Sequence, residues 1–293
     1  MIAVLALLVA LAVGVVLARG LSALFVTRQL ELPQIRAAGR LDRRLSVRGA
    51  DARSAPRRRD LRRVVWALAR AEGRLLLVHP VFLAGVALSA VFIVLSGRDS
   101  DSTYWLVVGP GVIPLALATL LAVNFAALRS RRDDTEELYG SLSVPPIVRT
   151  VAHLLSAAWA AAAAALLTAA AFLYLGGAGE GLTTEEGTKA LPSVLELAQG
   201  PLGVVLLGAL GLTLARWLPS LIVAPVAVVA IFNVPRLGPW ELFAGDWHLL
   251  LVAGIAGLLG ALALLRHGLS TRLLLTAGAA VLVIVLALLL ELT

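Results

Sequence analysis

VAHLLSAAWAAAAAALLTAAAFLYL, residues 151–175, contains no Asp, Glu, Lys or Arg. As an α-helix it is long enough to cross roughly 30 Å of hydrocarbon, and no soluble core of ordinary size needs so long an uncharged stretch. Working outward, runs of similar character lie at 2–26, 75–96, 104–128, 200–218, 221–232, 249–265 and 273–290. The expected fold class is therefore all-α, a polytopic transmembrane bundle of about eight spans. The run at 221–232 is short and holds Pro225, so it is expected to kink or to fold back. Across all 293 residues, 60% are hydrophobic and the mean hydropathy is +0.93. A chain of this size cannot hide that much apolar surface in its own interior, so lipid must cover part of it.

Orientation follows from where the cations fall. Between the first two apolar runs, residues 28–74 carry fourteen arginines and five acids. Loops dense in Lys and Arg resist translocation, which places this segment in the cytoplasm. If each run then crosses once, 21 cations lie inside and three (Arg98, Lys189 and Arg236) lie outside. A miscounted span would scramble that split. The run at 2–26 lacks the Lys or Arg that precedes a signal peptide's apolar core, and it is read as a retained span.

The net charge of +7 does not point to nucleic acid. The basic residues flank apolar spans, which fits anionic headgroups of the inner leaflet. The absence of cysteine excludes disulfides, thiolate metal sites and Cys nucleophiles. Four histidines, His79, His153, His248 and His267, show no HExxH spacing, and no GxxxxGK[ST] loop is present. No catalytic, metal or cofactor residue is assigned, and the chain is not read as an enzyme. Charge within the spans is nearly absent. Their polar groups are Asn124, Ser156, Thr168 and Thr213, with His153 near one edge, and this argues against ion-driven transport. Small-xxx-small pairs (Gly211/Ala215, Ala253/Gly257/Ala261, Ala256/Gly260) predict close helix packing.

Two cytoplasmic segments exceed what a turn requires. In LRRVVWALARAEGRLLL, residues 61–77, Leu61, Val64, Val65, Leu68 and Leu75 form one stripe, while Arg59, Arg63, Arg70 and Arg74 form another. With Trp66, this predicts a membrane-interface helix, bent at His79-Pro80 into the next span. The second segment is RSRRDDTEELYGSLSVPPIVRT, residues 129–150. Asp133, Asp134, Glu136 and Glu137 suit the N-terminal turns of a short helix, followed by Leu138 and Tyr139, with Gly140 to end it. Such a helix is a docking surface for a soluble partner. On the other side, 176–199 is Gly-rich and acidic, with a short helix expected at 191–197. Trp240, Phe243 and Trp247 fit an outer aromatic belt.

The order of these parts resembles the membrane subunit of ATP-binding-cassette (ABC) exporters of the type-2 permease class, of the kind found in actinobacteria. The resemblance rests on ALARAEGRLLLVHPVFLAGVALS, residues 67–89, and RRDDTEELYGSLSVPPIVRTVAHLLS, residues 131–156. It implies a six-span permease core at 61–265 and a connecting helix bearing Arg59, Arg63, Trp66, Arg70 and Arg74. It implies a coupling helix of Asp133, Asp134, Glu136, Glu137, Leu138, Tyr139 and Gly140 that docks on an ATPase subunit. It also implies a second permease unit, identical or different, and ATP hydrolysis in a separate chain. The leading span (1–27), the basic linker (28–60) and the trailing span (266–293) exceed that core. Two other readings remain open, a membrane protein of structural or assembly role and a lipid-modifying enzyme.

Overall fold

The computed structural model describes residues 58–99, 103–132, 146–176, 181–184, 187–233, 247–267 and 271–291. The expected spans at 2–26 and the linker up to residue 57, the acidic segment at 133–140 and most of the aromatic loop at 234–246 lie outside them. The chain divides into two compact units, Met1–Val64 and Val65–Thr293. Of the first, only the opening of a helix is described; the helical bundle belongs to the second.

The described chain is almost wholly helical: α1 (Arg58–Leu77), α2 (Pro80–Asp99), a short α3 (Thr103–Val108), a 3-10 turn (Pro110–Val112), α4 (Ile113–Arg132) and α5 (Pro146–Leu175). A two-residue hairpin follows, β1 (Leu182–Thr183) and β2 (Lys189–Ala190), and then α6 (Val194–Trp217), α7 (Val223–Asn233), α8 (Trp247–Leu265) and α9 (Thr271–Glu291). Among the described residues, four stretches are long and apolar enough to cross a membrane: Pro80–Gly97, Pro110–Arg129, Ile147–Leu175 and Val194–Trp217. Leu249–Leu265 and Leu273–Leu289 are shorter apolar helices of the same kind. Large apolar side chains such as Leu166 and Leu173 on α5 and Leu275 and Leu282 on α9 face outward, as lipid contact requires and water does not favour.

Close contacts give each helix its direction. A methyl group at Gly85 of α2 would lie 2.2 Å from Ala118 Cβ of α4, and Ser89 meets Leu115, so α2 and α4 run antiparallel. Gly208 of α6 faces Ala157 of α5, and Gly200 faces Thr168, so that pair is antiparallel as well. Gly200 also faces Val112, and Gly211 faces Leu120, which makes α4 and α6 parallel. Thr213 reaches the Leu259 carbonyl and Trp217 reaches that of Leu262, which makes α6 and α8 parallel. Gly254 faces Ile284 and Gly257 faces Ala280, so α9 runs back along α8. One end of the bundle thus gathers the C-termini of α4, α6 and α8 and the N-termini of α2, α5 and α9. We call it the arginine end, and the other the hairpin end.

Parallel neighbours α6 and α8 require the chain between them to return to the hairpin end. α7, with eleven residues, is too short for a full crossing, which agrees with the weakness of its apolar run. Its Val228 already packs with Ile113, Leu117 and Leu207, ten residues up α6 from Trp217. The residues just before α7 therefore cover part of the rise.

Several interior polar groups find partners along these seams. The fully buried Ser89 hydroxyl accepts the Leu115 N–H at 3.0 Å, an amide that the first turn of α4 leaves without a helical acceptor. Asn124 Nδ2 donates to the Gly211 carbonyl at 3.1 Å, where α4 and α6 are closest. Thr213 donates to Ala209 and Leu259 carbonyls. Ser156, bonded to the His153 carbonyl, is buried too, and so is Thr168, whose hydroxyl makes no hydrogen bond among the described residues.

Three expected boundaries shift. The run at 75–96 is split by His79-Pro80, as anticipated, but the split moves residues 75–77 into α1. The run at 104–128 is broken at Gly109-Pro110 into α3, the 3-10 turn and α4. The separate helix expected at 191–197 and the span at 200–218 are one helix, α6. Pro201 sits only eight positions into α6, and Ser193 and Glu196 form a reciprocal capping box that fixes its start.

Candidate functional site at the arginine end

Five elements bring polar side chains together at the arginine end. α1 reaches the bundle through small residues. A methyl group on Gly73 would overlap the Trp159 indole of α5, 2.1 Å from its Cδ1. The buried stripe of α1 is therefore Ala69, Gly73 and Leu76. This corrects the expected apolar stripe. Val64, Val65, Leu68 and Leu75 are only partly covered, because the flat indole demands the thinnest side chains directly beneath it. The opposite stripe is as expected: Arg63, Trp66, Arg70 and Arg74 are exposed, and Trp66 is 56% exposed. The Arg59 side chain lies outside the described residues.

Next to Gly73, Glu72 Oε2 stands 3.8 Å from His153 Nδ1 on α5. That is beyond hydrogen-bond length and becomes an ion pair only with a protonated imidazole. Burial pushes the Glu72 carboxyl above its ordinary value, and the Arg129 charge at the end of α4 partly offsets this. Ser156 donates to the His153 carbonyl at 2.7 Å and not to the ring. Ser156 therefore does not supply the hydroxyl-to-imidazole contact of nucleophilic catalysis.

His79 closes the junction between α1 and α2. Its Nδ1 accepts the Val81 N–H at 3.3 Å, capping α2, whose first residue is Pro80. A ring nitrogen that accepts must be unprotonated, and burial, aided by the Arg129 charge, holds His79 below its usual value.

At the other side of α5, Thr150 Oγ1 and His267 Nε2 are 2.7 Å apart, tying the start of α5 to the end of α8. Burial, then the charges of Arg216, Arg149 and Arg266, hold His267 below its usual value. Four guanidinium groups, from the ends of α4, α5, α6 and α8, thus act on one small region. Its acid among the described residues is Glu72.

Among the described residues no cluster of three or more His, Asp or Glu could hold a metal ion. The expected coupling residues Asp133, Asp134, Glu136, Glu137, Leu138, Tyr139 and Gly140 lie outside the described residues. What the structure describes is their anchorage. The chain leaves α4 at Arg132 and enters α5 at Pro146, at the arginine end of both helices. Sequence reasoning singled out His153 but missed Glu72 as its neighbour and missed the Thr150–His267 contact. The arginine tally had marked every one of these helix ends as belonging to one side, which was the available signal.

At the hairpin end, Tyr104 donates to Glu196 Oε1 at 2.5 Å, and Thr183 N donates to Thr103 Oγ1 at 2.9 Å. The hairpin itself, with Leu182 opposite Ala190, had no expected counterpart. Gly181 and Gly187 take positive φ of 84° and 75° there.

Comparison with known proteins finds no family model, no curated protein and no solved structure that the chain matches.

Proposed function

We propose that the chain is the membrane-spanning permease subunit of an ABC exporter, working with a separate ATPase subunit and a second permease unit in the cell membrane. The observation that supports this reading is where the described helices on either side of residues 133–145 end and begin. α4 ends at Arg132 and α5 begins at Pro146, both at the end of the bundle where α1, α6 and α8 also converge. A load applied there by a soluble partner acts on the ends of five helices together. The sequence supplies no P-loop, so energy from ATP has to come from another chain. In this reading the arginine end faces the cytosol. Asp133, Asp134, Glu136, Glu137, Leu138, Tyr139 and Gly140 meet the ATPase, and ATP-driven closure of two ATPases biases the bundle between two arrangements. Arg59, Arg63, Trp66, Arg70 and Arg74 rest on the anionic inner surface.

The test is co-purification with a P-loop ATPase encoded beside this reading frame. The triple variant E136A/E137A/Y139A is expected to lose the ATPase while inserting normally into membranes. Undiminished co-purification refutes the assignment. It leaves a structural or assembly role, in which charge changes within 129–150 are tolerated.

A further inference from the structure

We propose that the β1–β2 hairpin is a gate at the hairpin end of the bundle. Leu182 is its stopper, and withdrawal of that side chain admits water and small polar solutes to the buried Thr168 hydroxyl. Such a gate serves any membrane role of the chain and does not depend on the ATPase reading.

The seat of Leu182 comes first. Its side chain is fully buried and belongs to one cluster with Ile93 of α2, Val107 of α3 and Ala171 of α5, and Leu197 of α6 packs against that cluster. One apolar side chain thus plugs the junction of four helices. Next is how lightly the hairpin is held. Beside Leu182, Thr183 N donates to Thr103 Oγ1 at 2.9 Å, while Gly187, Thr188 and Leu191 are exposed. The two strands pair over two residues each. An element with so little buried surface opens locally at lower cost than the bundle unfolds. Last is what lies beneath. α5 ends and α6 begins at this end of the bundle, so Thr168 and Gly200 lie three residues, or about 4.5 Å, deeper than Ala171 and Leu197. A methyl group on Gly200 would stand 3.4 Å from Thr168 Oγ1, which sets that hydroxyl against α6. Thr168 is 2% exposed, and its hydroxyl makes no hydrogen bond among the described residues. Thr119 and Thr213, also inside spans, instead donate to the Leu115 and Ala209 carbonyls of their own helices. Gln199, the neighbour of Gly200 in α6, likewise keeps its amide oxygen buried without a hydrogen bond. Groups left unpaired in an apolar interior favour a guest that can bond to them, and Leu182, clustered with Ala171, stands less than one helical turn above.

The chain has no cysteine, so a single introduced thiol reports access at one place. In T168C the thiol takes the position of the hydroxyl and reacts with a charged methanethiosulfonate only while the gate is open.

The experiment uses the full chain in neutral-detergent micelles. The polar solute is trimethylammonium-ethyl methanethiosulfonate, and the mass of the intact chain reads the reaction. T168C is expected to react far more slowly than T188C, whose thiol sits on the exposed part of the hairpin. Adding L182A removes the stopper and should speed the T168C reaction at least about tenfold. Adding T103V removes the bond to Thr183 and should speed it about threefold. A157C, buried on α5 against Gly208, is the control for general loosening, and its rate should change in neither background. Q199C replaces T168C if that variant fails to fold, with the same expectations. T168C reacting as fast as T188C in the otherwise unaltered chain overturns the gate. So does a T168C rate that L182A leaves unchanged, and so does equal acceleration of T168C and A157C.

Discussion

Gly211→Ala tests the packing of α4 on α6 at its tightest point. A methyl group placed on Gly211 would sit 2.3 Å from the Leu120 carbonyl oxygen, where ordinary contact begins near 3.4 Å. The obstacle is backbone, so no rotamer change relieves it; the helices must separate by about 1 Å. That gap forfeits a quarter to a half of the dispersion energy along the seam. It also stretches the 3.1 Å bond from Asn124 to the Gly211 carbonyl, worth about 0.6 kcal/mol between membrane helices. Overpacking of this kind costs about 1–3 kcal/mol, offset by up to about 1 kcal/mol from alanine's better helix propensity. The expected net loss is about 1–2 kcal/mol. Gly278→Ala in α9 is the control, since nothing lies within 4 Å of its added methyl; it should be neutral or stabilising. Reversible unfolding in mixed SDS and neutral-detergent micelles, followed by circular dichroism, measures both. If Gly211→Ala proves as stable as Gly278→Ala, the account of the α4–α6 seam is wrong.

The histidines set a pH response. His79 and His267 have folded values below the ordinary 6.5, so the unfolded chain takes up their protons first. Their contribution to stability is present above pH 6.5 and is lost as pH falls through the folded values. The thermal midpoint should drop between pH 7.5 and 5.5, less so in H267Q; a midpoint that rises over that interval contradicts the burial described. Glu72 has the opposite sign: its folded value lies above 4.5, so its contribution is present below pH 4.5 and fades as pH rises through the raised value. Ser193→Ala removes half of a capping box and should cost about 1 kcal/mol by the same unfolding assay, with no loss counting against the cap. Thr213→Val and Trp217→Phe each cut a bond from α6 to an α8 carbonyl. Each should cost about 0.6 kcal/mol, and hydrogen exchange at Leu259 and Leu262 should rise; unchanged exchange in the double variant excludes the parallel α6–α8 contact.

What the sequence revealed was governed by range. Uncharged length and arginine flanks are local, and they marked α2, α4, α5, α6, α8 and α9. Asn124, Ser156, Thr168 and Thr213 stood out as polar groups within spans, and all are buried. The join of 191–197 to α6 was also local, since Ser193 and Glu196 have capping-box spacing. Pro201, eight positions into α6, leaves the Leu197 carbonyl without its helical donor, yet the helix runs through it. The seat of Gly73 under Trp159 could not be read, because nothing near residue 73 tells which ring covers it. The same holds for Glu72 beside His153 and Thr150 beside His267, contacts between segments far apart in the chain. The hairpin was hidden by its size, since two-residue strands carry no alternation to detect.

α5 is the longest helix described, and past its opening Pro146 it contains neither glycine nor proline; α4 past Pro114 shares this, whereas α1, α2, α6, α8 and α9 each hold at least one in their interior. It has no natural place to bend. A rotation of about 10° imposed at its foot would carry its tip through roughly 8 Å over its length of about 45 Å. α5 is thus a lever, delivering movement at the arginine end, enlarged, to Leu175 and Gly97.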